Sequence, residues 1–254
     1  MELYQYFIVI VGGFLAGCIN TLAGNGSAIT LTILTEVIGL SGNVANGTNR
    51  IGIFFQSFTG SVAFYRNGKF DLKKNWHYIV IMMLGALFGV YVAIQVDNAQ
   101  FKSVFKVLIV LMLIVTLVNP KRWLKETDQD FQLSLWIAAP VLFALGFYGG
   151  FIQMGMGVFM LAFMVLVAKY SIIESNVIKL IAVGLYTIII IAVFQWKGLV
   201  DWHVGLTMAV GQSIGGWVTA NKASRYPQAN LWAYRLLIFV IFAAIIKMFF
   251  FPAN

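Results

Sequence analysis

The sequence predicts an all-α polytopic membrane protein made of two inverted five-segment repeats, and three observations carry that reading. First, 61% of the 254 residues are hydrophobic and 10% are charged, with a mean hydropathy of +0.88. A soluble domain carries about 25% charge, so nearly the whole chain belongs in hydrocarbon. Second, the chain echoes itself: Gly13-Phe14-Leu15-Ala16-Gly17-Cys18-Ile19-Asn20 returns as Gly146-Phe147-Tyr148-Gly149-Gly150-Phe151-Ile152-Gln153, 133 residues later. Asn43-Val44 returns as Asn176-Val177 at the same spacing, Gly68-Lys69-Phe70-Asp71 as Gly198-Leu199-Val200-Asp201 after 130, and Gly85 and Gly89 as Gly211 and Gly215 after 126. Third, the basic loop residues segregate to one side of the predicted topology, as described below.

Ten apolar segments follow in order, at 4–23, 27–40, 43–65, 75–95 and 101–118, then 132–154, 157–169, 173–196, 202–220 and 230–250. Residues 1–118 form the first repeat, 119–131 a cytoplasmic linker and 132–254 the second repeat. The start, Met1-Glu2-Leu3-Tyr4, has an acid where a secretory signal has its basic region, so the first run reads as a retained membrane segment. Most runs approach the roughly 20 residues that a spanning helix needs, but the second of each half is only about 14 long. Each short run follows a glycine-marked break, Gly24-Asn25-Gly26 or Gly155-Met156-Gly157, and so reads as the return arm of a re-entrant hairpin. Short, glycine-interrupted segments at matching places in two halves point to a transport site.

With five segments per half the second half starts on the opposite side, and loop charge tests this. Arg66, Lys69, Lys73, Lys74, Lys121, Arg122, Lys125, Lys169, Lys222 and Arg225 then share one side, while Lys102 and Lys197 lie on the other. Basic flanks resist translocation, so the ten mark the cytoplasm of a cell-membrane protein whose termini both face outward. The net charge of +8 therefore reports topology, and nothing in these short scattered loops implies nucleic-acid binding. Gly13-x-x-x-Gly17, Gly85-x-x-x-Gly89, Gly146-x-x-x-Gly150 and Gly211-x-x-x-Gly215 set small residues one turn apart, and their paired placement favours packing within the chain over homodimer contacts.

Candidate site residues are the polar ones that a bilayer should exclude. Asn46, Asn49, Arg50, Gln56 and Ser57 fall near one face of the third segment, with Thr48 in the same stretch. A lipid-facing stripe of this kind is costly, so the face lines the bundle interior. In the second half Lys179 takes the place of Asn46, with Tyr186 and Thr187 two turns on. Asn20 is matched by Gln153 beside the hairpin tips, where Gly24, Asn25, Gly26 and Gly157 let a ligand approach the backbone. Arg50, Lys179, the amides and two helix N-termini together suit a small oxyanion. Arg50 could instead tie helices by bonding carbonyls, and Asn20 and Gln153 could serve as interhelical glue.

His77 and His203 with Asp71 and Asp201 raise an enzyme reading, but both histidines open the fourth segment of their half and so lie at opposite faces. No P-loop, HExxH or nucleophile pattern is present, Cys18 is alone, and no cofactor is implied. Glu36 and Glu174 read as boundary charges near segment ends.

The stretches Gly13 to Gly24, Val44-Ala45-Asn46-Gly47-Thr48-Asn49-Arg50 and Tyr65-Arg66-Asn67-Gly68-Lys69-Phe70-Asp71 resemble the sulfite exporter TauE/SafE family of membrane permeases. The likeness covers essentially the whole chain and is looser in the second half, which keeps Gly146, Gly150, Gly157, Gly198 and Asp201. Asn25, Ser27 and Thr30 replace a fuller glycine run after the first segment, and Met154 and Met156 interrupt the second hairpin. The resemblance implies ATP-independent transport of sulfite, organosulfonates or related organosulfur anions. The expectation is thus a permease moving a small anion by alternating access at a midplane site between the repeats, with membrane lipid around it and a proton or sodium ion as coupling partner. A membrane-embedded enzyme acting on lipid, or a membrane scaffold or assembly protein, is the alternative.

Overall fold

The computed structural model describes residues 1–68, 72–95, 114, 117, 120–128, 130–226 and 228–250, and these are helical apart from short connections. Apart from 114 and 117, the fifth predicted segment lies outside the described residues, as does Lys69 of the first basic loop. Helix α1 runs Leu3–Leu22, α2 Ser27–Thr32, α3 Gly42–Arg66, α4 Leu72–Ala93 and α5 Pro120–Trp123. Then come α6 Leu135–Phe151, α7 Met156–Ala162, α8 Ile172–Trp196, α9 Trp202–Arg225 and α10 Ala229–Phe250. Both α2 and α7 pass into a π-helical turn, Ile33–Val37 and Phe163–Val167. By length and apolarity Leu3–Leu22, Asn75–Ala93 and Ile172–Trp196 can each cross a membrane.

Glycine ends α1. Gly24 takes φ +77, and its N–H turns back to Ile19 O at 3.3 Å and Asn20 O at 3.2 Å, closing the helix with a left-handed cap. From there α2 doubles back along α1: Gly26 lies on Ala16, Gly12 on Ile33, and Gln5 Nε2 donates to Val37 O at 3.2 Å near the start of α1. Ser27 to Val37 rises about 16 Å, half of a hydrocarbon core of about 30 Å. In the second hairpin α6 stops at Phe151 because Ile152 is extended, at φ −141° and ψ 126°, and Gly155 at φ +82 starts α7. This arm also returns, with Tyr148 edge-on to Phe159 at 6.0 Å and Gly149 against Met156. The predicted arms 27–40 and 157–169 therefore fold back along their first helices, and their helical parts end at Val37 and Val167.

Beyond the hairpins, features recur 130 residues apart. The π turns close through Ile38 N–H to Ile33 O and Ala168 N–H to Phe163 O, at 3.1 and 3.0 Å. Ser41 and Ser171 precede α3 and α8, each of 25 residues, which are followed by left-handed Gly68 and Gly198. This register pairs Asn46 with Asn176, whereas the spacing of 133 read from the sequence pairs Asn46 with Lys179; three residues drop out between the first helix and the π turn.

The four glycine motifs pack within the chain. A Cβ at Gly13 or Gly17 would strike the α9 backbone at Met208 or Gln212, and one at Gly211 or Gly215 would strike α1 at Ile10 or Phe14. Gly85 and Gly89 meet α6 at Phe143 and Phe147, and Gly146 and Gly150 meet α4 at Met82 and Ala86. Helix α1 is thus seated on α9 and α6 on α4, backbone against backbone, the closeness that holds helices together where no hydrophobic effect drives them. Between the two seams, α3 and α8 cross antiparallel, with Gly60 beside Leu180, Ser57 beside Gly184, and Gly47 beside Phe194. Trp123 of α5 is fully buried and stacks on Tyr234 of α10 at 5.6 Å.

Candidate functional site

Helix α3 has the length to span yet carries a polar face, and the structure turns that face inward. Asn46, Thr48, Asn49, Arg50, Gln56 and Ser57 are all buried. Arg50, at 0% exposure, is held by the end of α6: Nη1 donates to Gly149 O at 2.7 Å and to Gln153 Oε1 at 2.9 Å, and Nη2 to Gly150 O at 3.1 Å and Asn46 Oδ1 at 3.5 Å. Asn46 Nδ2 reaches Phe151 O at 3.3 Å, and the Tyr186 hydroxyl donates to Gln153 Oε1 at 3.1 Å. The cation and its neighbours satisfy the last carbonyls of α6, groups that a helix end leaves open and that face the negative end of its dipole.

A second knot closes α1 in the same manner. Lys179 Nζ donates to Asn20 O at 2.7 Å, to Thr21 O at 3.4 Å and to Asn176 Oδ1, while Asn176 Nδ2 reaches Leu22 O at 3.1 Å. Asn20 Nδ2 donates to Gln56 Oε1 at 3.0 Å, and Gln56 Nε2 to Thr21 Oγ1 at 3.1 Å. In both knots a cation and an asparagine of one long helix cap the end of another, α3 capping α6 and α8 capping α1.

The hairpin tips meet between the knots. A Cβ on Gly24 would come within 2.5 Å of the Gly157 backbone, and one on Gly157 within 2.5 Å of Gly24. Gly26 is pressed against Ala16 and Asn20 of α1. Among the described residues several buried side-chain polar atoms have no hydrogen-bond partner: both amide atoms of Asn25, Ser27 Oγ, Asn49 Nδ2, Arg50 Nε, Ser57 Oγ, Thr187 Oγ1 and Gln212 Oε1. Leaving such groups unmade in an apolar interior costs about 1–3 kcal/mol each.

Of the sequence-derived set, Asn46, Arg50 and Gln153 converge on the end of α6, and Asn20 and Lys179 on the end of α1. Gly24, Asn25, Gly26 and Gly157 form the tip contact. Thr48 stands apart, its hydroxyl accepting from Asp201 N–H at 2.9 Å beside the start of α9, and Asn49 turns toward Gln212, whose Nε2 donates to Asn49 Oδ1 at 3.4 Å. The antiparallel register separates Arg50 from Lys179 by about a dozen residues along the helix pair, on the order of 17 Å. Sequence reasoning left out Asn176 and Gln212; the echo of Asn43-Val44 in Asn176-Val177 was the available signal for the first. His203 stays peripheral: it is exposed, and its Nε2 meets the Tyr6 hydroxyl at 2.6 Å. Among the described residues no three His, Cys, Asp or Glu side chains group as metal ligands.

A multi-pass helical membrane protein with a cationic polar centre between two glycine-broken hairpins belongs to the class of membrane transporters. The chain is a member of the sulfite exporter TauE/SafE family, whose model matches residues 9–248. It is 27% identical over 224 residues to "Probable membrane transporter protein ORF9" of Sinorhizobium sp, covering 87% of this chain and 83% of that one. It is 28% identical over 209 residues to a "Probable membrane transporter protein" of Haemophilus influenzae, covering 82% and 81%, and 23% identical over 237 residues to "Probable membrane transporter protein YunE" of Bacillus subtilis, covering 84% and 86%. No solved structure matches it. The family is one of transporters, not enzymes.

Proposed function

We propose that the protein is a secondary transporter moving a small anion, sulfite or an organosulfonate or other organosulfur anion, by alternating access at a midplane site between two inverted repeats. The repeats are residues 1–118 and 132–254, joined by a cytoplasmic linker at 119–131, with both termini outside. The observation that carries the reading is a set of buried side-chain atoms without hydrogen-bond partners, in Asn25 and Ser27 of the first hairpin tip and at Asn49 Nδ2 and Arg50 Nε of α3. Donors of this kind in a dry site suit oxygens of an anion. The antiparallel crossing of α3 and α8 and the crosswise caps support this reading, in which one half rocks against the other.

In this reading Arg50 with Asn46 and Gln153 forms one wall of the site, and Lys179 with Asn20 another. The cations occupy helix carbonyls in the state described, so substrate is bound by groups that the caps leave over, Arg50 Nε among them, and a proton or sodium ion drives the cycle. The test is flux in proteoliposomes of sulfite, organosulfonates and small carboxylates, with a proton or a sodium gradient imposed. Saturable flux of at least one sulfur anion is expected; absence of flux for the entire panel, with correctly folded protein, would refute the assignment.

A further inference from the structure

Resting on the transporter reading above, we infer that the coupling ion is a proton and that Lys179 carries it. A proton that drives transport must sit on a side chain inside the membrane that can give it up. Among the described residues no carboxylate is buried, and the histidines lie outside the core, His77 half-buried and His203 exposed. The buried ionisable groups are Arg50, Lys179 and tyrosines such as Tyr186. Arginine does not release its proton in a protein, and a tyrosine that did so would leave a bare anion in an apolar interior. Lysine becomes neutral when it does, which makes it the group able to exchange.

The knot around Lys179 is built for the ammonium form. Three N–H groups meet three oxygens, Asn20 O at 2.7 Å, Thr21 O at 3.4 Å and Asn176 Oδ1. Asn176 cannot turn its amide to suit a neutral amine, because its Nδ2 already donates to Leu22 O at 3.1 Å and to Ile172 O at 3.0 Å. Loss of the proton therefore sets a lone pair against an oxygen and frees one acceptor at the end of α1. That end outlasts the change, since Gly24 N–H donates to Ile19 O at 3.3 Å and to Asn20 O at 3.2 Å without help from lysine. Arg50 meets a like set, Gly149 O, Gly150 O and Asn46 Oδ1, with a group whose charge is fixed. One knot is permanent and the other switchable, and the switchable one holds the helix end that leads into the contact of Gly24 with Gly157. The proton passes from Nζ to water on whichever face of the membrane the tip opens to.

The other ionisable groups on the elements packed around Lys179 are turned elsewhere. Cys18 of α1 donates to Gly215 O, Glu174 of α8 accepts from Thr127, Glu126 of the linker accepts from Asn230, and Tyr234 of α10 stacks on Trp123. Tyr65 and Arg66 of α3, Lys222 and Arg225 of α9 and Arg235 of α10 are exposed, and α7 has no ionisable side chain.

The test loads proteoliposomes with sulfite or methanesulfonate, clamps the membrane potential at zero with potassium and valinomycin, and imposes a pH or a sodium gradient. A gradient of one pH unit should shift the steady anion ratio across the vesicle roughly tenfold, as one proton per anion requires. Sulfite itself titrates, but that contribution is common to every protein compared, and methanesulfonate is free of it. Lys179→Arg keeps a cation at the end of α1 without an exchangeable proton, so it should bind both anions in thermal-shift titrations yet lose the pH response; Lys179→Gln, uncharged, should lose it too. A ratio in the unaltered protein that sodium moves and pH does not, or that neither moves, overturns this inference while leaving the anion reading standing, and that measurement needs no variant to fold. A pH response retained in folded Lys179→Arg or Lys179→Gln overturns it as well, as does loss of anion binding by both folded variants. Flux of neither anion overturns the sulfur-anion reading itself and this inference with it.

Discussion

A guanidinium closes the end of α6, and an ammonium closes the end of α1. Arg50 makes four hydrogen bonds there, to Gly149, Gly150, Gln153 and Asn46, whereas Lys179 makes three, to Asn20, Thr21 and Asn176. The difference follows from what each helix end does for itself. At α1 the left-handed Gly24 returns its own N–H to Asn20 O, so a point charge completes the job. At α6 the chain leaves in an extended conformation at Ile152, whose N–H goes to Tyr148 O, and no backbone N–H reaches Gly149 or Gly150 O among the described residues. Two neighbouring carbonyls then need a planar fork, which arginine has and lysine lacks. Two helix ends thus reach the same capped state by different chemistry.

The comparison breaks outright if the halves are not inverted. In a Cys18→Ser background, cysteine at Asn67 should be labelled by impermeant reagent from the cytoplasm alone, and cysteine at Gly198 from outside alone. Both follow the third helix of their half, beside left-handed Gly68 and within a turn of the end of α8. The expected effect is all or none, and labelling of the two sites from the same face would end the two-fold description.

The tip contact sharpens the comparison at the next scale. Gly24 and Gly39 both hold left-handed φ, +77 and +80, but only Gly24 has a neighbour, the Gly157 backbone, while nothing lies within 4 Å of a Cβ on Gly39. Gly39→Ala should cost about 1–2 kcal/mol of backbone strain. Gly24→Ala adds a collision with backbone that cannot turn aside, and Gly24→Val more, so folded protein recovered from membranes should fall severalfold for Gly24→Val and little for Gly39→Ala. Equal melting temperatures for Gly24→Ala and Gly39→Ala would show that the tips do not touch.

Much of this was legible because lipid makes local sequence speak. Glycines at a break in an apolar run, small residues one turn apart and polar groups on a spanning helix each violate the solvent's demands, and each proved to be a turn, a seam or a buried face. What the sequence withheld depends on partners 99 to 159 residues away, such as Gly149 for Arg50 and Asn20 for Lys179. The π turns lie 130 residues apart, a spacing that sets Asn46 beside Asn176, whereas the spacing of 133 read at the first helix sets it beside Lys179. Thr48 looked like its neighbours in the polar stretch, yet one step around the helix aims it at the start of α9.

The smallest effect is the most discriminating, because it weighs the two knots against each other. Arg50→Gln removes the donors of Gly149 and Gly150 O and leaves two buried carbonyls open, a loss of about 2–5 kcal/mol in stability. Lys179→Gln leaves Asn20 O with the Gly24 N–H it already accepts, so the loss should be about 1–2 kcal/mol. Arg50→Lys keeps the charge but offers one nitrogen where two carbonyls diverge, and should fall between them. Melting of the three proteins without ligand measures the caps; the ligand-induced shift, read on the same samples, measures the anion. If Arg50 only caps α6, every variant that folds will bind substrate as the unaltered protein does. If its Nε also grips an oxygen, Arg50→Gln and Arg50→Lys will lose affinity out of proportion to their melting temperatures, and Lys179→Gln will not.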